Sequence, residues 1–225
     1  MIPWTKRASA LAPDGTELSL WQRGDEHVVR AGGADLMSTR THGSEELLAE
    51  HGASGLGAGA VVLVAGLGMG FTLRATLAVV PEDARVVVAE LVPAIVDWVR
   101  GPLGGSALLD DPRVTVEVRD CAEILRESKA RFDAILLDVD NGPAALTQES
   151  NRWLYGREGL DTAARATRPG GRLVVWSAGG DEAFAGRLAR VGFTVTTESV
   201  RAHRAGPGGK GRGARHVLFV GVRRG

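Results

Sequence analysis

The stretch "VVLVAGLGMGFTL" occupies residues 61 to 73. Val61–Ala65 is an almost wholly apolar run rich in β-branched residues. Gly66, Gly68 and Gly70 then alternate, and from Phe71 the apolar spacing becomes helical. A glycine inside a strand or helix costs roughly 0.5–1 kcal/mol relative to alanine, so three in five positions need a reason. Strand, G-x-G-x-G and helix in succession supply one. Glycines let the backbone turn tightly and let a ligand come close, and the helix N-terminus offers free N–H groups and the positive end of its dipole. Glu90 lies 20 residues beyond Gly70, at the end of the next apolar run, "RVVVAE". An acid there accepts hydrogen bonds from ribose hydroxyls. The spacing predicts a nucleoside crevice formed by Gly66, Gly68, Gly70 and Glu90; the alternative is a tight strand–helix turn with no ligand.

No G-K-[ST] follows, and the third glycine comes one residue too early for G-x-G-x-x-G. A nucleoside with a short side chain, such as S-adenosylmethionine, fits this loop better than a dinucleotide.

Outward from the glycines, strands and helices alternate. Residues 85–90, 114–118, 132–138 and 171–177 read as further strands; 71–80, 93–100, 122–128, 151–167 and 181–191 read as helices. Alternation of this kind implies a parallel sheet covered on both faces, and the continuous apolar runs suit strands buried on both sides. Residues 193–200 and 216–222 are two more strands with no helix between them, hence antiparallel neighbours at one edge. The fold class expected is α/β: a Rossmann-like, seven-stranded, mostly parallel sheet with an antiparallel last strand. Residues 1–52 read as a small β appendage of two or three strands with a short helix, and 53–225 as the main domain. Ser44 begins at best an incomplete capping box.

Lys plus Arg equals Asp plus Glu, 27 each. No global field therefore favours nucleic acid or an anionic membrane. The lone cysteine, Cys121, excludes a disulfide framework and a cysteine-rich zinc site. His27, His51, His203 and His216 show no metal-ligand spacing. The N-terminal residues lack the apolar core of a signal peptide, and no run reaches 18 apolar residues. The expectation is a soluble cytoplasmic protein without a metal.

With these segments in place, the chain resembles the aminopropyltransferases, or spermidine synthases, built on the class I methyltransferase fold. "VVLVAGLGMG" resembles their glycine loop, and "VVVAELVPAIV" their ribose-binding strand end, with Glu90 as the acid. "DDPRVTVEVRDCAEIL" resembles the segment whose acid and neighbour contact adenine, here Asp120 and Cys121. "RFDAILLDVDNGPAAL" resembles the catalytic strand end, whose first acid falls on Asp138. "LMSTRTHGSEELLAE" looks like a shortened N-terminal segment of the family, which implies that His42 and Glu45 lie near the crevice mouth. The resemblance departs at Met69, where the family carries the acid that holds the donor's amino group, and in "VDNGPA", which is shorter than usual.

The resemblance implies transfer of an aminopropyl group from decarboxylated S-adenosylmethionine to a small-molecule amine. Asp138 would orient the amine and accept its proton; a capping role is the alternative. Asp140 would anchor a second cationic amine, and Tyr155 and Trp153 would line the acceptor pocket. Core packing is the rival role for Trp153, as a solvated helix start is for His42. A methyltransferase using S-adenosylmethionine on a small, anionic acceptor is the second reading, favoured by Met69. It is favoured also by "RAHRAGPGGKGRGARH" (201–216), whose five Lys and Arg residues would repel a polycation at the crevice. A non-catalytic adenosyl-binding protein is the third. The basic segment lacks the stacking aromatics of a nucleic-acid groove. Two copies could pair through the N-terminal hairpin as a homodimer.

Overall fold

The structure, a computed structural model, describes residues 2–139, 142–143, 153–203 and 212–225. Four short strands come first: β1 (Thr5–Leu11), β2 (Glu17–Arg23), β3 (Glu26–Ala31) and β4 (Ala34–Ser38). They form an antiparallel meander in the order β1-β2-β3-β4. One strand exceeds the two or three expected: β1, which precedes them and pairs antiparallel with β2. Leu18, Leu20 and Val29 on this small sheet join the same core as Val62 and Val64.

Helix α1 (Gly43–Ala53) follows and lies against four strands of the large sheet and against the helix at residues 71–79. Gly52 permits that approach, since a Cβ there would run into the Leu136 side chain. Arg172 closes the far end of the helix, donating from Nη1 to the Ser54 carbonyl at 2.7 Å.

The large sheet contains β5 (Val61–Ala65), β6 (Arg85–Ala89), β7 (Val114–Glu117), β8 (Phe132–Leu137), β9 (Thr167–Ser177), β10 (Phe193–His203) and β11 (Arg212–Arg223). Their order is β10-β11-β9-β8-β5-β6-β7. β5 to β9 run parallel, and β11 is antiparallel to both β9 and β10. The α/β class, the mostly parallel seven-stranded sheet, the antiparallel last strand and the small N-terminal sheet are all present. Because β11 opposes both of its neighbours, β10 runs with the parallel strands and ends on their carboxyl side.

The helices are α2 (Phe71–Val79), α3 (Pro93–Arg100), α4 (Ser106–Leu109), α5 (Cys121–Glu127), α6 (Arg157–Ala166) and α7 (Glu182–Arg190). Three begin on a local signal: Pro93 sits in the first turn of α3, Asp120 caps α5 through Ala122 N–H and Asp181 caps α7 through Phe184 N–H. Two boundaries differ from the sequence reading. The helix expected over 151–167 is broken at Gly156, and its first two residues lie outside the described ones. The strand expected from Gly171 starts at Thr167, where "TRPGG" joins β8 through an irregular register. Among the described residues no helix is long and apolar enough to cross a membrane.

Candidate active site

Four parallel strand ends stand in one row. Ala65 lies opposite both Leu137 and Ala89, and Ala89 lies opposite Glu117. The next residues continue the ladder: Asp138 N–H donates to the Ala65 carbonyl at 2.9 Å, Gly66 N–H to Ala89 at 2.9 Å, and Glu90 N–H to Glu117 at 3.1 Å. Asp138, Gly66 and Glu90 are thus side by side at the carboxyl edge. β5 has β6 on one side and β8 on the other, so the direction of winding reverses here, which is where open α/β sheets bind ligands.

The glycine turn is built for closeness. Gly66 has φ +93°, and a Cβ on it would strike the Asp138 carbonyl. Gly70 is the N-cap of α2, and a side chain at Gly68 would meet Met37 of β4. Met69 turns into the core. Glu90 is 8% exposed and holds the turn, its carboxylate accepting from Leu67 N–H at 3.0 Å and Val92 N–H at 2.8 Å. Burial pushes its pKa up, and backbone N–H groups from Val92, Leu67, Gly68 and Leu91 pull against it. Of the about four lone-pair positions of a carboxylate, two are taken at hydrogen-bond distance by the Leu67 and Val92 N–H groups.

Beyond Glu90, Leu91 is 45% exposed and Val118 is 50% exposed, large apolar residues at the ends of β6 and β7. An exposed apolar pair beside the acid suits the face of a nucleobase; neither residue stood out in the sequence, where Val118 read as a strand end and Leu91 as the residue after one. Asp120 accepts from Ala122 N–H at 2.8 Å. Cys121 is buried, and burial, reinforced by the Asp120 charge, pushes its thiol up to about 12. A thiol held protonated there cannot serve as a nucleophile.

Asp138 faces the first turn of α2, where Thr72 Oγ1 donates to its Oδ2 at 2.5 Å. Burial raises the Asp138 carboxyl to about 6, and the Thr72 hydroxyl opposes that rise. From α1 comes a second carboxyl, Glu45, raised to about 7 by burial and then by the Asp138 charge. Two acids in one partly dry site resist double ionisation. Ser44 Oγ donates to Glu45 Oε2 at 2.6 Å and lies 2.9 Å from His216 Nδ1. His42 stacks on Phe71, ring centroids 4.1 Å apart, with Nδ1 2.9 Å from Glu46 Oε1.

Tyr155 is fully buried, and its hydroxyl donates to the Val139 carbonyl at 2.9 Å, bracing the chain just after Asp138. Trp153 packs partly buried beside the core, with the Arg126 guanidinium 3.9 Å over its ring. Asp140 lies outside the described residues, as do 204–211 of the basic segment. The described part of that segment puts Arg201, Arg212 and Arg215 at the carboxyl end of β10. Thr72, Ser44 and His216 were not singled out as site residues. Thr72 carried one faint signal, a hydroxyl among apolar residues just after the glycine turn. Ser44 and His216 carried none, since 172 residues separate them.

The carboxyl pair has a consequence for stability. Both carboxyls titrate higher in the folded chain than their ordinary values, 3.8 for Asp138 and 4.5 for Glu45. The stability they contribute is therefore fully present below about pH 4 and is lost as pH rises through about 6 to 7. Glu45→Gln should melt higher than the wild type above pH 7, with the difference fading toward pH 4, as read by calorimetry at several pH values. An equal melting point at pH 8 would contradict the pairing.

Comparison with known proteins agrees with this geometry. The Spermine/spermidine synthase domain matches residues 41–180, a span that runs from α1 through the glycine turn and Asp138 to the end of β9. The polyamine aminopropyltransferase of Mycobacterium tuberculosis is 35% identical over 119 residues, which are 51% of this chain and 22% of that protein. The match thus spans about a fifth of that relative's length. The crystal structure of spermidine synthase from Thermotoga maritima superposes with a TM-score of 0.75 at 18% identity, over 98% of this chain and 73% of that one. A spermidine synthase in complex with the transition state analogue AdoDATO gives 0.74 at 18% identity, over 98% and 72%. With the domain match taking in both the glycine turn and the acid at the end of β8, the chain belongs to the spermine/spermidine synthase family.

Proposed function

We propose that the chain transfers an aminopropyl group from decarboxylated S-adenosylmethionine to a small amine. One observation carries this reading: a carboxyl at the end of β8, Asp138, with a second carboxyl within reach of its charge, beside the glycine turn that follows β5. The names of the matching proteins support it. In the proposed arrangement Gly66, Gly68 and Gly70 give the nucleoside room, Glu90 accepts from its ribose, and the backbone around Asp120 and Cys121 meets the base.

The reaction is an in-line displacement. The amine nitrogen uses its lone pair to form a bond to the carbon beside the sulfonium sulfur. The carbon–sulfur bond breaks and its electron pair stays on sulfur, which leaves as a neutral thioether. The nitrogen must shed a proton, and Asp138 takes it. A carboxyl whose pKa is raised to about 6 is a better base for that task than an ordinary aspartate near 3.9, and it is still ionised for the most part at neutral pH. Positioning supplies the rest, since holding nitrogen and carbon about 3–3.5 Å apart removes much of the entropic barrier.

Methyl transfer from S-adenosylmethionine is the second reading. It is favoured by Met69, which packs into the core where the family carries an acid, and by Arg201, Arg212 and Arg215 on the same edge of the sheet. Incubation with each donor, with and without putrescine, separates the two. Methylthioadenosine formed only with the decarboxylated donor and putrescine is the expected result. S-adenosylhomocysteine would replace the first reading with the second, and turnover of neither donor would leave a binding protein.

A further inference from the structure

The hydroxyl of Ser44 is fully buried between Glu45 and His216. It lies 2.6 Å from Glu45 Oε2 and 2.9 Å from His216 Nδ1. A hydroxyl has one proton to give, so it cannot donate to both neighbours. The direction of this short chain is therefore set by where the protons sit. With Glu45 ionised, Ser44 donates to Glu45, and His216 must carry its proton on Nδ1 to donate to Ser44. With Glu45 protonated, Glu45 donates to Ser44, Ser44 donates to Nδ1, and the imidazole proton sits on Nε2. The tautomer of His216 is coupled to the ionisation of Glu45.

We propose that Glu45, Ser44 and His216 form a proton outlet for the crevice, carrying away the proton that Asp138 takes from the acceptor. This rests on the amine-transfer reading for its purpose, though not for its wiring. In the proposed sequence Asp138 passes the proton to Glu45 and is again a carboxylate. With Glu45 protonated, the ring first exchanges with solvent from the Nδ1–H to the Nε2–H form, which frees Nδ1; Glu45 then donates to Ser44 Oγ while the Ser44 proton moves to His216 Nδ1. The resulting imidazolium gives its Nε2 proton to solvent, which leaves Glu45 ionised and the ring in its starting Nδ1–H form. Every group ends in its starting charge state. Ser44 and His216 touch no reacting atom, so they are positioning residues.

The surroundings isolate this chain of groups. On α1, Glu45 has His42 and Glu46 as its charged neighbours, and the latter two lie 2.9 Å apart. From the end of β8 it faces Asp138. The charged residue of α2, Arg74, is exposed. β9 contributes Arg172, engaged by the last carbonyls of α1. β10 contributes Glu198, bound to His51 at 2.9 Å. On β11, His216 stands edge-on to Trp176, centroids 4.6 Å apart, and the arginines of that strand at 212 and 215 are exposed. Burial holds the His216 pKa below its ordinary value.

The test is nitrogen NMR on the protein labelled with 15N-histidine, without donor or acceptor, from about pH 5.5 to 8.5 around the ordinary histidine range. The expected result is a neutral His216 that passes from the Nε2–H to the Nδ1–H form as Glu45 ionises, with a midpoint near 7. Ser44→Ala and Glu45→Gln should each abolish that passage. A wild-type His216 that keeps one tautomer across the range overturns the proposal, whatever the variants do. So does an unchanged passage in Ser44→Ala. Because no turnover is needed, failure here is distinct from failure of the transfer reading, which the product assay alone decides.

Discussion

Asp138→Asn is expected to lower turnover roughly 10²–10⁴-fold, the range for loss of a general base, while the adenosyl donor binds as before. Asparagine keeps the shape of the side chain and can still accept from Thr72, which lies 2.5 Å away in the wild type. It cannot take a proton. The loss should therefore appear in kcat, with the donor's Kd from calorimetry little changed, as expected for an interaction made chiefly in the transition state. The pH profile supplies a second reading. Wild-type turnover should fall below about pH 6, where Asp138 gains its proton, and the variant should lose that acid limb. An unaltered rate would remove Asp138 from the mechanism and leave it as a support for α2.

Gly66→Ala is expected to lose the donor site and much of the stability together. The residue has φ +93°, outside the range a side chain tolerates, and its new Cβ would meet the Asp138 carbonyl. Backbone strain of that kind costs on the order of 1–3 kcal/mol before any clash is counted. The clash cannot be relieved by rotating a side chain, because the obstructing atom is backbone. It belongs, moreover, to the residue whose N–H donates to Ala65, so β5 and β8 must separate at the crevice. The variant should melt several degrees lower, and adenosyl compounds should no longer raise its melting temperature. A variant that retains a full ligand-induced shift would show that the nucleoside sits elsewhere.

The architecture was legible because its signals are local and repeated. Runs such as "VVLVA" and "FDAILL" announce strands buried on both faces, and the residues between them have helical spacing. The glycine turn and Glu90 could be placed together because strand, turn, helix and acid lie within a short stretch of chain. Asp138 was singled out by its place at a strand end together with the family resemblance. Less could be read where the contact is distant. Glu45 emerged only through resemblance, and nothing in the sequence tied it to Asp138, 93 residues away. His216 shows no partner along the chain; the sheet brings it to Ser44 because β11 is inserted between β9 and β10. The first N-terminal strand was missed for a different reason: "TKRASAL" has one β-branched residue, and it forms by pairing with β2.

Helix α1 comes before the glycine turn in the chain, yet it carries Glu45 and lies clamped on the sheet through Gly52 and Arg172. The leading quarter of the polypeptide is consequently no detachable handle. Cutting it away would spare every strand of the large sheet but strip the crevice of one of its two acids. On the proposed reading, shortening or swapping this N-terminal piece acts on the chemistry through Glu45 and leaves the residues of the glycine turn in place.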